Sequence, residues 1–292
     1  MLQLAGLVIV LLLVGGGLAL TGGPAAMHAL PFELALIGGA AIGTVMLANS
    51  PAVAREAFAG FVRAFKGARW KKADYADLFT LTGALMRAVK RRGFVAIEAD
   101  IEMPEESALF RAAPRILEDA PARTLICDAF RLMALDLSDP QRADQRMMEA
   151  IDGHMAQRAK AVGALQTLAD ALPALGIVAA VLGIIRTMGA IDQEPAILGA
   201  MIGAALLGTF LGVFLAYGLV GPIAARYGQI VEEEAVFLET IRVLLRSFGE
   251  GAAPSLAIEM ARTTLPLALQ PDVAGMSGAP VTPLAGARRP AA

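Results

Sequence analysis

The chain has 292 residues, of which 57% are hydrophobic and 18% are charged, and its mean hydropathy is +0.61. Soluble domains carry about 25% charged and about 45–50% apolar residues, so this composition indicates a membrane protein with a sizeable polar portion. The net charge of −2 excludes a nucleic-acid binder that relies on bulk positive charge. A single cysteine excludes a disulfide framework, and the wide separation of His28 and His154 predicts no metal site.

Four stretches of the chain are nearly free of charged residues. A membrane-spanning helix needs about 20 consecutive apolar residues. The stretches predict four transmembrane helices, at about 2–21, 33–51, 170–189 and 197–221. A cleaved signal peptide is the alternative for the first of them, but signal peptides begin with basic residues, and the first basic residue here is Arg55.

The distribution of basic residues predicts how the chain is oriented. Of the 25 Lys and Arg residues, 18 lie between positions 55 and 160 and 6 lie after position 225, which leaves only Arg186. Cytoplasmic segments of membrane proteins carry the excess of Lys and Arg. We therefore expect a multi-pass membrane protein with both termini in the cytoplasm and with both short links, near 22–32 and 187–196, outside.

The polar part between the second and third spans has helical patterns. Arg55–Lys72 is amphipathic and predicts a helix that leaves the membrane, and Asp74–Arg92 predicts a second helix that ends at Gly93. Prolines divide the following stretch into short helices. Thr124–Leu137 and Ala143–Ala169 predict two further helices, and the second of these is expected to run without a break into the third span.

These patterns predict an all-α fold, a polytopic membrane protein with four transmembrane helices and a helical cytoplasmic domain. A further amphipathic helix is predicted at Arg226–Phe248, and the Pro-, Ala- and Gly-rich end of the chain is expected to be disordered. The predicted domains are a first transmembrane hairpin (1–52), a cytoplasmic helical loop (53–165), a second transmembrane hairpin (166–224), cytoplasmic amphipathic helices (225–270) and a disordered tail (271–292).

Motifs for enzyme chemistry are missing from the sequence. It contains no GxxxxGK[ST], no GxSxG and no GxGxxG after a strand, so we expect neither an enzyme nor a bound cofactor. We also expect no ionisable group at the centre of any span, whereas proton relays normally use a carboxylate or a histidine within the membrane. If the protein moves ions, a partner chain must then supply the central carboxylate.

The fourth span carries small residues at four-residue spacing, on a helix that also carries Thr209. Such residues let helix backbones approach closely in lipid. They are Gly199, Gly203, Ala204, Gly208, Gly212 and Ala216. Packing within one chain is one interpretation, and close packing between subunits or a narrow pore lining is the other.

Two prolines stand near the cytoplasmic ends of the third and fourth spans. Pro173 lies near the start of the third span and Pro222 near the end of the fourth. A proline within a helix removes a hydrogen bond and permits a kink. Because a short link joins the two spans, we expect the prolines to lie at the same membrane depth on adjacent helices, which favours a hinge over two inert helix-end prolines.

Four segments carry a resemblance to a known family. They are GGAAIGTVMLAN at 38–49, RRGFVAIEADIEMPEES at 91–107, LADALPALGIVAAVLGII at 168–185 and GAALLGTFLGVFLAYGLVGPI at 203–223. Over roughly 1–265 the sequence resembles the MotA family of bacterial flagellar stator subunits.

The resemblance implies a homo-pentamer around a MotB-like dimer that supplies the membrane aspartate, with FliG of the rotor as the cytoplasmic partner and no nucleic acid. It implies that Pro173 and Pro222 couple conformation to ion flow and that Asp170 is the torque-linked aspartate at the membrane edge. It also places the rotor contact at Glu98 and at Lys90, where well-known relatives have arginine. Arg91 and Arg92 follow directly, so any of these three basic residues is a candidate for the contact.

The resemblance also bears on the transported ion, which we expect to be the proton. Sodium-driven relatives place a threonine at the position of Ala180, opposite the threonine that matches Thr209. The segment 176–185 has no hydroxyl group, so Thr209 is the only one available, and it alternatively bonds the carbonyl four residues back. One hydroxyl per subunit makes a poor sodium site.

Two other functions remain as alternatives. An ExbB- or TolQ-like energiser of an outer-membrane process is the nearer one, although those relatives typically have three spans with the long loop after the first. A membrane scaffold that moves no ion is the other.

Overall fold

The structure is a computed structural model, and it describes residues 2–21, 23–135 and 139–272. Every regular element in those residues is helical, which confirms the all-α class. The α-helices are α1 (Leu2–Thr21), α2 (Gly23–Ala48), α3 (Pro51–Lys66), α4 (Lys72–Arg92), α5 (Glu98–Glu102), α6 (Ala108–Arg111), α7 (Pro114–Leu117), α8 (Ala120–Leu135), α9 (Pro140–Met188), α10 (Pro195–Val213), α11 (Gly221–Gly249) and α12 (Pro254–Thr264). Short 3₁₀ helices cover Phe94–Ile97 and Leu267–Leu269, and a π-helix covers Phe214–Val220.

Four helical segments of the described residues are long and apolar enough to cross a membrane. They are Gln3–Leu20, Met27–Ala48, the helix Pro140–Met188 and the continuous helical stretch Pro195–Gly249. The four agree with the four spans that the sequence predicts. The third segment is 49 residues long, or about 74 Å at about 1.5 Å per residue, more than twice the thickness of the membrane core. Helix α9 therefore crosses the membrane and continues beyond it, as predicted.

The second span differs from its prediction. Helix α2 begins at Gly23, ten residues earlier than expected, and the predicted outer link is helical from that residue on, with Pro31 inside the helix. The predicted span began at Glu33 because a charged residue normally marks the edge of a span. In the structure Glu33 lies almost two turns inside the apolar segment Met27–Ala48. The prediction concerned the centre of each span, and Glu33 lies nearer the Met27 end than the centre, but it is an acid inside a span where the sequence analysis had placed only an edge.

Glycines end two helices that follow the first hairpin. Helix α3 begins at Pro51 behind the cap Ser50 and ends at Lys66, six residues before the predicted end, because Gly67 has φ 81°. Helix α4 ends at Arg92 as predicted, and Gly93 has φ 77°. Glycine adopts such positive φ values without the steric cost that other residues meet, so it stops a helix at little expense.

The chain divides into two compact units, which are Met1–Ala68 with His154–Glu233 and Arg69–Gly153 with Glu234–Ala292. The first unit holds the four spans and an apolar core. In the second unit Trp70 stacks on Phe237 with ring centroids 3.7 Å apart, and buried Asp74 pairs with Arg115. The domain boundaries given by the sequence stay predictions, and the predicted tail lies outside the described residues from position 273 onward.

Glycines set the distance between the third and fourth spans. A Cβ atom on Gly212 would lie 2.6 Å from the carbonyl oxygen of Leu172 and 2.8 Å from the Cα of Gly176. A Cβ on Gly183 would lie 2.6 Å from the Cβ of Ala205. A Cβ on Gly203, in contrast, would meet nothing within 4 Å. Gly208, Gly212 and Ala216 of the small-residue stripe are therefore used for packing within the chain, whereas Gly199 and Gly203 are open.

This contact predicts a stability difference between two glycines of α10. Gly212→Ala places a methyl group against backbone atoms that cannot rotate away, so α9 and α10 must separate, at a cost of about 1–3 kcal/mol in the free energy of unfolding. Gly203→Ala is the matched control, because alanine favours a helix and meets no neighbour there. Thermal unfolding of the detergent-solubilised protein measures both, and equal melting temperatures would contradict the close packing.

Candidate functional site

Helices α2, α9 and α10 meet around Gly208 within the membrane. A Cβ atom built on Gly208 would lie 3.1 Å from the Oε2 atom of Glu33, 3.1 Å from the Cβ of Ala179 and 3.3 Å from the backbone nitrogen of Ala180. Thr209 is the next residue of α10. The structure therefore brings two of the three residues of the predicted ion path, Ala180 and Thr209, to the level at which Glu33 lies, whereas Asp170 lies nearly three turns before Ala180 on α9.

The hydroxyl group of Thr209 is free of hydrogen bonds within the described residues. Thr44, Thr167 and Thr187 each donate to the carbonyl four residues back, at 2.9–3.0 Å. No such bond forms at Thr209, whose side chain is half-buried. The alternative in which this hydroxyl is satisfied by its own helix is therefore wrong, and its donor remains available to water or to another chain.

Glu33 is the acid that sequence reasoning missed. Its side chain is only 6% exposed, and in the part of the chain that the structure describes its Oε2 atom has no hydrogen-bond partner. A cavity of about 770 Å³ lies beside it, between α2, α9 and α10. His28, Glu33 and Arg186 are the polar residues of the cavity wall, and the rest of the wall is apolar. The sequence did hold one signal for this site, since Glu33 is the only charged residue before Arg55.

The two conspicuous prolines lie at different depths. Gly183 of α9 faces Ala205 of α10 and Gly176 faces Gly212, so the helices are antiparallel and residue 215 lies opposite Pro173. Pro222 is about seven residues further along, which corresponds to roughly 10 Å. The expectation of matched depths is therefore wrong, because the helices are offset by about two turns.

Pro222 nevertheless occupies an unusual backbone position. It is the second residue of α11, directly after the π-helix Phe214–Val220, and the N–H of Gly221 bonds to the carbonyl of Ala216 five residues back. π-Helical turns are rare and often occur at functional sites. Pro173 lies inside the long helix α9, and Asp170, one turn before it, is exposed and forms no ion pair among the described residues.

The predicted rotor-facing residues lie together where α4 gives way to α5. Lys90, Arg91 and Arg92 form the last turn of α4, and Glu98 begins α5 after one 3₁₀ turn. All four side chains are exposed. The Nζ atom of Lys90 lies 5.5 Å from the centroid of the Phe248 ring, a cation–π distance, whereas Arg91, Arg92 and Glu98 have no partner in the described residues.

A second acid, the half-buried Glu56, was also missed by the sequence analysis. Its Oε1 atom accepts hydrogen bonds from Arg63 at 2.8 Å, from the hydroxyl of Tyr227 at 3.0 Å and from Arg158. The ring of Tyr227 packs on Gly60, where a Cβ would lie 2.5 Å from it. The partners are up to 171 residues apart in sequence, so no local pattern reveals this network. The hydrogen-bond network of Glu56 connects α3 to α9 and α11.

The single cysteine of the chain has an unreactive thiol. Cys127 is buried in α8, and this burial raises the pKa of its thiol to about 11. The thiolate is the reactive form of cysteine, so this side chain is a poor nucleophile at neutral pH. Within the described residues no group of three or more His, Cys, Asp or Glu side chains is arranged to hold a metal ion.

Family models match most of the chain. A model for the N-terminal part of Motility protein A matches residues 4–93, and a model for the MotA/TolQ/ExbB proton channel family matches residues 117–240. Motility protein A of Escherichia coli is 36% identical over 265 residues, which is 91% of this chain and 90% of the relative. Chemotaxis protein LafT of Vibrio parahaemolyticus is 32% identical over 93% of this chain and 95% of the relative.

Solved structures show the same fold. The structure of C. jejuni MotAB superposes with a TM-score of 0.72 at 18% identity, and the flagellar MotAB stator complex from Bacillus subtilis with a TM-score of 0.71 at 21% identity. Each match covers 90% of this chain and 95% of the solved chain.

The helices and the matches together define an integral protein of the bacterial inner membrane whose fold is that of a proton channel family and not of a known class of enzyme. Within that class, the chain belongs to the Motility protein A family.

Proposed function

We propose that this chain is a stator subunit of a bacterial flagellar motor, which conducts protons together with a MotB-like partner and converts their flow into torque on the rotor protein FliG. The observation that carries the proposal is the 36% identity to Motility protein A of Escherichia coli along nine-tenths of both chains. An ExbB- or TolQ-like role is the less favoured alternative, because the N-terminal match at 4–93 is to a Motility protein A model.

The proposed partner is a MotB-like dimer surrounded by five copies of this chain, with all termini of the five in the cytoplasm. The two solved neighbours are MotAB complexes, and the excess of Lys and Arg in the polar segments favours this orientation. The open positions of the small-residue stripe, Gly199 and Gly203, support close packing against another chain. The partner would contribute an aspartate near Ala180 and Thr209.

The proposed ion is the proton, with Asp170, Ala180 and Thr209 along its path. Sodium needs several oxygen ligands at one depth, whereas a carboxylate exchanges a proton with transient water. The free hydroxyl of Thr209 is one such oxygen, but the facing segment of α9 has no hydroxyl of its own. Few oxygen ligands per subunit therefore favour the proton.

The test of ion and function is motor speed in cells that carry this chain and its partner as the only stator. We expect cells to swim, and their speed to follow the proton gradient and to stay constant when sodium is varied at fixed pH and membrane potential. Immobile cells would contradict the stator function. Speed that rises with sodium and stops in its absence would contradict the proton.

We further propose that Pro173 and Pro222 belong to the part of the chain that changes conformation. Both interrupt the hydrogen-bond ladder of a long helix, and Pro222 follows a π-helical turn that can absorb a change of helix direction. The offset of the two prolines places the flexible points at successive depths along the hairpin.

The hinge predicts a loss of movement without a loss of assembly. Pro173→Ala restores a hydrogen bond within α9 and should abolish or severely slow motility, while expression and co-purification with the partner stay normal. Pro195→Ala is the control, since a proline at the first position of α10 costs no hydrogen bond. Near-normal swimming by the Pro173→Ala, Pro222→Ala double variant would contradict the hinge.

We also propose that the exposed charges at the α4–α5 junction face the rotor. Arg91, Arg92 and Glu98 have no partner within the described residues, whereas Lys90 is already held against Phe248. Unpaired exposed charges of both signs suit electrostatic recognition of a charged partner surface. The two arginines are thus favoured over Lys90 as the basic contact.

Variants that reverse a charge at the α4–α5 junction should reduce torque more than variants that only neutralise it. Single exposed ion pairs contribute about 0.2–1 kcal/mol, so neutral variants should have mild effects. Arg91→Glu and Glu98→Lys should reduce torque under load more strongly, because each turns an attraction into a repulsion. Unchanged torque in both reversed variants would place the rotor contact elsewhere. Arg146→Glu is a control, because its partner Glu149 lies on the same exposed helix turn.

A further inference from the structure

The second span carries a carboxylate that no interaction within the described residues accounts for. Glu33 is 94% buried, its Oε2 atom lacks a hydrogen-bond partner, and that atom lies 3.1 Å from the position of a Cβ built on Gly208. A buried carboxylate without a partner is strongly disfavoured when ionised. It is stable where it holds a proton or where water reaches it.

The cavity beside Glu33 provides room for water. Its volume of about 770 Å³ is far larger than the roughly 30 Å³ that one water molecule occupies in the liquid. The wall is apolar apart from Glu33, His28 and Arg186, so Glu33 is the only acidic group that water in it would meet. The walls from α9 and α10 add no acid.

The charged groups around the cavity come from two of its three helices. His28 precedes Glu33 on α2, and Arg186 lies near the outer end of the third span on α9. Helix α10 brings no charged side chain, because residues 195–225 contain none. The cavity thus lies toward the outer side of the membrane in the orientation proposed above, and Glu33, which is part of its wall, lies at the level of Ala180 and Thr209.

A structural role alone fits these observations poorly. Glu33 makes no ion pair, and none of the described residues donates a hydrogen bond to it, so its charge stabilises no contact between helices. A glutamine or an apolar residue of similar size would fill the same space without the cost of burying a carboxyl group. The carboxyl group itself therefore calls for a function that uses its proton.

We propose that Glu33 is a proton-binding site of this chain, which takes protons from the cavity and passes them toward the aspartate that the partner supplies. Hydronium in the cavity gives its proton to the Glu33 carboxylate, which leaves water and a neutral carboxylic acid. The acid then releases the proton to water beside Thr209, which becomes hydronium, and the carboxylate is restored. This inference rests on the proposed proton conduction.

The first experiment measures motor speed against external pH in cells with the complete complex. Glu33→Gln keeps the shape of the side chain but cannot bind and release a proton, and we expect speed to fall by about ten-fold and its pH dependence to flatten. Glu33→Asp retains a titrating group and should give intermediate speed. Glu194→Gln is the matched control, an exposed acid outside the cavity wall whose change should leave speed unaltered.

The second experiment reads the proton on Glu33 directly and needs no variant. Dicyclohexylcarbodiimide reacts with protonated carboxyl groups in apolar surroundings, and mass spectrometry of the labelled complex in membrane vesicles assigns the modified residue. We expect label on Glu33 that decreases as the pH rises. No label on Glu33 at any pH, or wild-type speed of Glu33→Gln across the pH range, would overturn the proposal.

The two experiments separate this inference from the proposed function. If the wild-type complex moves cells and Glu33→Gln moves them equally well, the proton path exists but does not use Glu33. If the wild-type complex supports no movement while Glu33 is labelled in a pH-dependent way, the stator function fails and the proton-binding site stands.

Discussion

The near-contact of two helix backbones at Gly176 and Gly212 is the constraint on which the membrane part of this protein depends. Lipid supplies little hydrophobic drive for helices to associate, so their packing relies on close contact between complementary surfaces. Two glycines facing each other let α9 and α10 approach until a single methyl group would not fit. This contact fixes the register of the hairpin, and with it the level at which Ala180 and Thr209 lie. A different register would move every residue of the proposed ion path.

Tertiary packing gives two acids of the first unit opposite environments. Glu56 is surrounded by donors from three helices, so its charge is satisfied and serves to hold α3 in place. Glu33 is more deeply buried but has an open cavity in place of donors. A buried charge is tolerated when it is paired, and an unpaired one takes or loses a proton. The first acid therefore belongs to the framework and the second to the proposed chemistry.

The proposed mechanism follows from the same packing. A hairpin locked by glycines in its middle can change shape only where its helices are interrupted, which is at Pro173 and at the π-helical turn before Pro222. Helix α9 extends far beyond the thickness of the membrane, so a small change of angle at an interruption becomes a large displacement at its end.

The sequence by itself determined the fold class, the four spans, the continuous third-span helix and the end of α4 at Gly93. Each of these follows from local rules, since charge-free length, helical periodicity and a glycine with positive φ act within a few residues. The sequence also indicated the family, because each of the four resembling segments is an unbroken run of residues that can be recognised without a structure. It failed where the outcome depends on partners far away. Only tertiary packing decided the early start of α2, the burial of Glu33, the hydrogen-bond partners of Glu56 and the offset of the two prolines. The physical reason is that a span tolerates an internal acid or proline only when neighbouring helices provide space or hydrogen bonds for it.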